Sequence, residues 1–182
     1  YGIPVKEIAD SVFAEDKQIK TVTFGKNMRR IGSNAFGHCT NLQSVTFNVS
    51  MSDIGDYSFQ GCTGLQEMSF PDHLASVGRG AFYGCTSLIN LAVPNGIQHI
   101  GGTAFGNTAW LSARAGDEFV YVGDGILIAY NGDKEKLKLP KNVRLIAGAF
   151  AGNTNLKSVT LRDGLTAIGD MAFMGCHSLT EV

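Results

Sequence analysis

This sequence has little of what marks several large classes of protein. It has 4 prolines, 1 tryptophan and a charged fraction of only 17%, and its 15 basic residues nearly balance its 16 acidic ones. A nucleic-acid-binding protein normally carries a basic face for phosphate groups, so this balance argues against nucleic acid as a partner. No stretch approaches the roughly 18 consecutive apolar residues that would suggest a membrane helix. No basic segment followed by an apolar one marks a leader peptide.

Motifs that carry enzyme chemistry are also missing. The sequence has no G-x-S-x-G nucleophile elbow, no phosphate-binding P-loop and no H-E-x-x-H zinc motif. The string GRGAFYG from Gly78 to Gly84 looks like a glycine-rich loop, but it follows a pattern that recurs along the chain. The four histidines fall at different positions of that pattern and are not expected to meet: His38, His73, His99 and His177. We therefore predict that the chain is not an enzyme and has no catalytic residue, metal site or cofactor.

What the chain does have is a phenylalanine at a nearly fixed interval. The gaps between successive members are 23, 23, 23, 23, 45 and 23 residues: Phe13, Phe36, Phe59, Phe82, Phe105, Phe150 and Phe173. Such a period indicates one structural unit used repeatedly, with each copy stacked on the last. The sequence thus predicts a solenoid.

Each copy combines two patterns, which we number from its Phe. Positions +9 and +11 are apolar and alternate with polar residues, as in Ser44 to Phe47, which predicts a short strand with one buried face. Asp or Ser at −3 and frequent Gly at +2 predict a short helix around the Phe. The predicted fold is an α/β repeat solenoid with one parallel β-sheet and short helices on the opposite face. About seven such repeats would form a single domain, residues 1–182.

The gap of 45 residues indicates an insertion in the fifth repeat, at about residues 112–134. Two runs of aromatic and β-branched residues, 119–122 and 126–130, flank Gly-Asp-Gly, which is a strong hairpin signal. We predict a β-hairpin that protrudes from the solenoid, and the loss of one residue near Ala147. Trp110 lies at the root of this hairpin, where it either seals the junction or forms part of a ligand pocket.

Four cysteines recur three residues after a repeat Phe: Cys39, Cys62, Cys85 and Cys176. Stacked copies would lie about 5 Å apart, and a disulfide between them would also need suitably aimed Cβ atoms. Because the cysteines mark one recurring inner position, we expect buried free thiols that pack as small apolar groups. Their spacing also lacks the paired cysteines of a zinc site.

One pattern covers essentially the whole chain and is clearest in three segments: IGSNAFGHCTNLQSVTF, IGDYSFQGCTGLQEMSFP and VGRGAFYGCTSLINLAVP. It resembles the BspA-like class of leucine-rich repeats, and GDGILIAYNG resembles an insert seen in such arrays from gut and oral bacteria. The resemblance implies a right-handed superhelix on a bacterial protein that is secreted or at the cell surface, with a role in adhesion. Because the chain stops within a repeat, we expect a fragment of a longer array. Its uncapped ends leave end-to-end self-association open.

We place a ligand on the sheet face of the fifth repeat and its hairpin. The candidate ligand-binding residues are two lysines, two tyrosines and the tryptophan: Lys136, Lys138, Tyr121, Tyr130 and Trp110. The two lysines should project together, with Lys134, Lys141 and Arg144 nearby. The tyrosines either contact a ligand or pack against the solenoid.

Two functions fit these features. The first is a non-enzymatic recognition module that binds an extracellular protein or a glycan. The second is a structural spacer or accessory repeat region of a larger surface protein. A bare spacer has no use for a projecting hairpin, so the hairpin favours recognition.

Overall fold

Short parallel strands, stacked rung upon rung, make up almost all of the regular structure. A computed structural model describes residues 4–182, so residues 1–3 of the predicted domain lie outside the described part. In chain order the elements are β1 (Glu7–Ile8), β2 (Thr21–Thr23), β3 (Arg30–Ile31), β4 (Ser44–Thr46), β5 (Asp53–Ile54), β6 (Glu67–Ser69), β7 (Ser76–Val77), β8 (Asn90–Ala92), β9 (His99–Ile100), α1 (Ala109–Ser112), β10 (Phe119–Val122), β11 (Ile126–Tyr130), β12 (Lys136–Lys138), β13 (Leu145–Ile146), β14 (Ser158–Thr160) and β15 (Ala167–Ile168).

The strands form two sets, whereas the sequence predicted one sheet. The three-residue strands lie at positions +8 to +10, where a strand was predicted, and Val22 pairs in register with Val45. The first five two-residue strands form a parallel sheet, in the order β1-β3-β5-β7-β9, and the other two join the hairpin in the sheet β10-β11-β13-β15. In this second set Arg30 is exposed and Ile31 is buried, so the chain alternates here too. A two-residue alternation is too short to be recognised in the sequence as a strand.

The prediction of short helices around the Phe residues is wrong, because these segments form successive turns. Residues at −2 and +2 have positive φ, 55° at Asn34 and 60° at His38, which a right-handed helix does not allow. The N–H groups at −2, 0 and +2 point to the next rung instead, and that of Phe36 donates to a carbonyl there at 2.8 Å. The residue at −3 also bonds the next rung, since Asp56 Oδ1 accepts the N–H of Arg79 at 2.8 Å.

The repeat phenylalanines stack inside the solenoid, from Phe13 to Phe105 and again from Phe150 to Phe173. The ring centroids of Phe36 and Phe59 lie 5.3 Å apart with planes 4° from parallel, and those of Phe59 and Phe82 also lie 5.3 Å apart. Four of the leucines at +6 are fully buried beside them: Leu42, Leu65, Leu88 and Leu156. Burial of one such ring stabilises the fold by roughly 1.5–3 kcal/mol, which explains why Phe recurs at this position.

The predicted hairpin is confirmed, but it does not protrude. Strands β10 and β11 pair antiparallel on either side of residues 123–125. Strand β11 also pairs in parallel with β13, with Leu127 beside Ile146. The second strand of the hairpin is therefore built into the stack, and Ile126 and Leu127 are fully buried.

Tyr130 takes the place of a repeat phenylalanine in this added rung. Its N–H donates to Ala149 at 3.0 Å, as a repeat Phe donates to the residue before the next Phe. Its ring centroid lies 5.3 Å from that of Phe150, within the aromatic stack. Tyr130 stands 25 residues after Phe105 and 20 before Phe150, so the gap of 45 hides two rungs of unequal length.

The arc that joins a two-residue strand to its core aromatic shortens in this part of the chain. Four residues separate the end of β15 from Phe173, three separate the end of β13 from Phe150, and two separate Leu127 from Tyr130. Because β13 and β15 pair in register, the predicted loss of one residue near Ala147 is confirmed.

The hairpin also divides the apolar core in two. One cluster holds the first five repeat phenylalanines together with Trp110 and Ile126. The other holds Leu127, Tyr130 and the two remaining repeat phenylalanines. Neighbouring residues of β11 thus belong to different halves of the core. A single domain and a right-handed superhelix stay predictions.

Candidate functional site

A groove of about 530 Å³ lies over the three-residue strands of the second to fourth repeats. Its floor is formed by residues of β4, β6 and β8, and Trp110 and Arg114 also line it. The outward residues of these strands are mostly short and polar, while Ile89 is 58% exposed at the groove. The groove therefore combines small hydrogen-bonding groups with one accessible apolar side chain.

Helix α1 holds the wall of this groove in place. The Thr108 hydroxyl caps the helix by accepting the N–H of Leu111 at 3.2 Å, and it donates to Phe105 O at 2.8 Å. The Trp110 N–H donates to Leu88 O at 2.7 Å, which fixes the helix to the fourth repeat. The Thr108 cap and the backbone hydrogen bond of Trp110 therefore fix the position of α1 beside the groove.

Trp110 and Arg114 form one unit at the groove. Arg114 follows Trp110 by four residues, which brings both to the same side of a helical turn. The guanidinium carbon lies 3.9 Å from the centroid of the indole ring, and Nη1 donates to Trp110 O at 2.7 Å. Trp110 itself is only 6% exposed and packs edge-on against Phe105 at 6.1 Å. Trp110 thus seals the junction and also borders the groove, so the two roles left open by the sequence are compatible.

Lys136 and Lys138 project from β12 as predicted by their alternation, with Leu137 buried between them. Lys138 and Lys141 line a shallow depression of about 560 Å³, which Asp163 also borders. This depression is separate from the groove at Trp110.

The other two cations of the predicted basic spot have partners in the protein. Lys134 Nζ lies 2.5 Å from Glu118 Oε1, and this hydrogen bond raises the pKa of Lys134. Arg144 donates from Nε to Asp124 O at 3.0 Å and from Nη2 to Ile97 O at 3.2 Å. The exposed basic spot therefore reduces to Lys136, Lys138 and Lys141.

The two tyrosines pack against the solenoid rather than project from it. Tyr130 is 7% exposed, lies between the rings of Phe119 and Phe150, and accepts the Lys134 N–H at its hydroxyl at 3.3 Å. Tyr121 is half-buried with its ring centroid 6.3 Å from that of Phe119. Burial raises the pKa of both tyrosines. Of the predicted site residues, only the two lysines are exposed.

Sequence reasoning missed two groups of exposed or half-buried residues. Arg114 and Ile89 line the groove, and the four-residue spacing of Arg114 from Trp110 was a usable signal. On the second sheet, position −6 places Arg30, Asp53, Ser76 and His99 on successive rungs, and Ser76 Oγ donates to Asp53 Oδ1 at 2.8 Å. That row was missed because the sequence analysis predicted only one strand in each repeat, at the positions that follow the Phe, and no strand at position −6.

Two further features bear on function. No helix among residues 4–182 is long and apolar enough to cross a membrane. Within the same residues, no group of three His, Cys, Asp or Glu side chains is placed to hold a metal ion.

The repeat matches a family of known sequences along nearly its whole length. The model of the BspA type leucine-rich repeat region, in six copies, matches residues 6–127 and 128–182. The chain belongs to the BspA-type leucine-rich repeat family. The predicted resemblance is therefore confirmed, and the family is a protein-interaction repeat rather than an enzyme family. No curated protein matches the chain.

Solved structures of bacterial leucine-rich repeat proteins share the fold. The leucine-rich repeat protein of T. pallidum is 27% identical with a TM-score of 0.63, over 98% of this chain and 73% of that one. A leucine-rich repeat protein from Eubacterium ventriosum is 22% identical with a TM-score of 0.57, over 96% and 56%. The pneumococcal vaccine antigen PcpA is 21% identical with a TM-score of 0.51, over 96% and 55%. The chain spans about half of the length of these last two proteins.

Proposed function

We propose that this chain is a recognition module that binds a partner protein in the groove over β4, β6 and β8. The observation that supports this most directly is the Trp110–Arg114 unit fixed at the groove. Trp and Arg are the residue types that most often dominate binding energy in protein interfaces. Stacked repeats use such extended surfaces for binding.

The groove favours a peptide-like partner with an apolar side chain. Ile89 offers apolar surface, while Asn90, Ser69 and Thr46 offer donors and acceptors for main-chain groups. Glu67 adds a carboxylate, so a basic group on the partner would gain a charge-assisted hydrogen bond. We therefore favour a protein over a glycan.

We further propose that the module acts outside the cell or on its surface, in adhesion or host interaction. This proposal is supported by the family resemblance.

We also propose that Lys136 and Lys138 make a second contact with the partner, since both lysines are exposed on β12.

An array of extracellular-matrix proteins and glycans, probed with the chain and five variants, tests these proposals. We expect Arg114→Gln and Ile89→Asn each to weaken binding to a protein spot at least about tenfold, as loss of an interface anchor does. The matched control is Val49→Asn, since Val49 is 77% exposed and lies outside the groove. Equal binding by all of these proteins would contradict the assignment of the groove.

The lysine contact is tested in the same array. The double variant Lys136→Glu with Lys138→Glu should weaken the partner, whereas Lys6→Glu with Lys26→Glu, at exposed lysines of the first repeat, should not. Binding only to glycan spots would overturn the choice of a protein partner. Binding to nothing on the array would favour the alternative, a spacer region of a larger surface protein.

A further inference from the structure

A second cavity lies where the two halves of the core meet, apart from the groove at Trp110. It has a volume of about 210 Å³ and is lined by small or apolar residues of the fifth rung, the hairpin rung and the Phe150 rung, among them Ala104, Phe105, Ala129 and Ala151. We call it the inter-rung crevice. Its rim includes Asn131, which is exposed, so the crevice has a polar edge towards solvent.

The crevice interrupts the hydrogen bonding that joins all the earlier rungs. In the fourth rung, the N–H groups of Gly80, Phe82 and Gly84 donate to carbonyls of the fifth rung at 2.8–3.1 Å. The equivalent groups of the fifth rung belong to positions −2, 0 and +2 of its copy: Thr103, Phe105 and Asn107. No acceptor for these three N–H groups lies within hydrogen-bond distance among residues 4–182.

The shortened arc of the hairpin rung explains the interruption. Two residues lie between Leu127 and Tyr130, while four lie between Ile100 and Phe105, so the hairpin rung cannot follow the whole arc of the fifth rung. The Phe150 rung reaches the fifth rung at one corner, where a Cβ added to Gly148 would lie 2.9 Å from the Gly102 Cα. Beyond this corner the chains separate and the crevice begins.

The kind of ligand that could accept these N–H groups can be inferred from their arrangement. Alternate N–H groups in every earlier rung bond three different carbonyls on alternate residues of one chain, so they do not converge on a single small anion. The residues that line the crevice include no Lys and no Arg, which also disfavours an anion. Unpaired N–H groups next to apolar surface are costly, so a neutral chain with carbonyl oxygens in register would be stabilised there.

We propose that the inter-rung crevice binds an extended peptide segment of glycine, alanine or serine residues, whose carbonyl oxygens accept the N–H groups of Thr103 and Phe105, which both line it. The segment would act as a rung supplied from outside, by the same main-chain pairing that adds a strand to a sheet edge. The volume of about 210 Å³ admits small side chains only. This site does not involve the groove, so the proposal can be tested separately from the proposed function.

Amide NMR tests this proposal with defined probes. ¹⁵N-labelled protein is titrated with N-acetyl-Gly-Ala-Gly-Ala-Gly-amide, and in parallel with the Phe-containing analogue and with inorganic phosphate. We expect the Gly-Ala peptide to shift the amide protons of Thr103 and Phe105 downfield and to slow their hydrogen exchange at least tenfold. The analogue and phosphate should leave these two amides unchanged.

Variants that fill the crevice make the test specific. Ala151→Leu and Ala129→Leu both place a larger side chain among the lining residues, and either one should abolish the shifts. Ala9→Leu, at an exposed alanine of the first rung, should leave them intact. Shifts with phosphate alone, shifts that persist in a folded filling variant, or no shift with any probe would each overturn the proposal. The last result would mean that the crevice holds water only.

Discussion

At the scale of the residue, the cysteine position shows how one side chain joins two rungs. The Cys62 thiol donates to Phe36 O at 3.1 Å and the Cys85 thiol donates to Phe59 O at 3.1 Å, each reaching the preceding copy. All four cysteines are free thiols, and three are buried. In the fifth copy the same position holds Thr108, which bonds Phe105 O through its hydroxyl. At the same position Asp16 and Asn153 accept N–H groups of the following residues, so only the cysteines use it to bond the preceding copy. The spacing alone did not reveal these bonds.

These thiols make the stability of the protein decrease as the pH becomes alkaline. Burial raises the pKa of the Cys85 thiol from 9.0 to about 12. Above pH 9 the unfolded chain loses this proton while the folded chain keeps it, so the stabilisation is complete below pH 9 and is lost as the pH rises towards 12. At pH 10 we expect a loss of about 1.4 kcal/mol for this thiol.

Urea unfolding of the wild type and of Cys85→Thr at pH 8 and pH 10 measures this loss. The variant keeps a donor and does not titrate, so its free energy of unfolding should fall less by about 1.4 kcal/mol between the two pH values. The matched control is Cys176→Thr, because Cys176 is only partly buried and should show a smaller difference. Parallel pH dependence in the wild type and Cys85→Thr would contradict the assignment.

At the scale of the element, the sequence predicted the structures that follow from a repeated pattern of side chains. It missed the structures that depend on hydrogen bonds to a neighbouring rung. The strands at +8 to +10 and both strands of the hairpin follow from alternation of side chains. The helix prediction failed because Asp56 has the same chemistry as a helix cap but bonds Arg79 of the next rung. Tyr130 escaped recognition because it is not a Phe and does not keep the interval of 23 residues. No local pattern contains the information that another rung will accept a hydrogen bond.

The role of Tyr130 as a core aromatic gives a testable prediction. Tyr130→Ala should lower the free energy of unfolding by about 3–5 kcal/mol, as expected when a buried aromatic ring is removed. Tyr130→Phe keeps the ring against Phe150 and loses only the weak bond from the Lys134 N–H, so it should cost about 1 kcal/mol or less. Chemical denaturation measures both values. Similar losses in the two variants would mean that the ring does not serve as part of the stack.

At the scale of the whole molecule, polar and close backbone contacts join the first rungs to the later ones, in addition to the apolar contacts of the first cluster, which includes Leu145 and Ala147. Arg144 makes one of these contacts, since it bonds Ile97 O in the fifth rung and Asp124 O in the hairpin turn. The close contact of Gly102 with Gly148 is another. Between these contacts lies the inter-rung crevice. The candidate site was only partly predictable for the same reason: Trp110 and the lysines are visible in the sequence, but the groove depends on which rungs α1 covers.

Loss of Arg144 should uncouple the two halves. Its hydrogen bonds come from a charged group, and such bonds contribute about 1.5–3 kcal/mol each. We expect Arg144→Gln to separate the urea midpoint seen by Trp110 fluorescence, which reports on the first cluster, from that seen by circular dichroism. Arg162→Gln is the control, because Arg162 bonds Leu139 O within the second half. Coincident midpoints in Arg144→Gln would show that the halves are coupled by other contacts.

The regular register of the first rungs has a consequence for how genes of this kind can change length. Ile31, Ile54, Val77 and Ile100 pair in one unbroken series, and each copy presents the same edge to the next. Loss or duplication of one unit of 23 residues within this series would leave every remaining pair intact. The hairpin rung cannot be exchanged in this way, because its flanking intervals of 25 and 20 residues fit only each other. Recombination between repeats can therefore lengthen or shorten the first half freely, while the hairpin marks a fixed point in the gene.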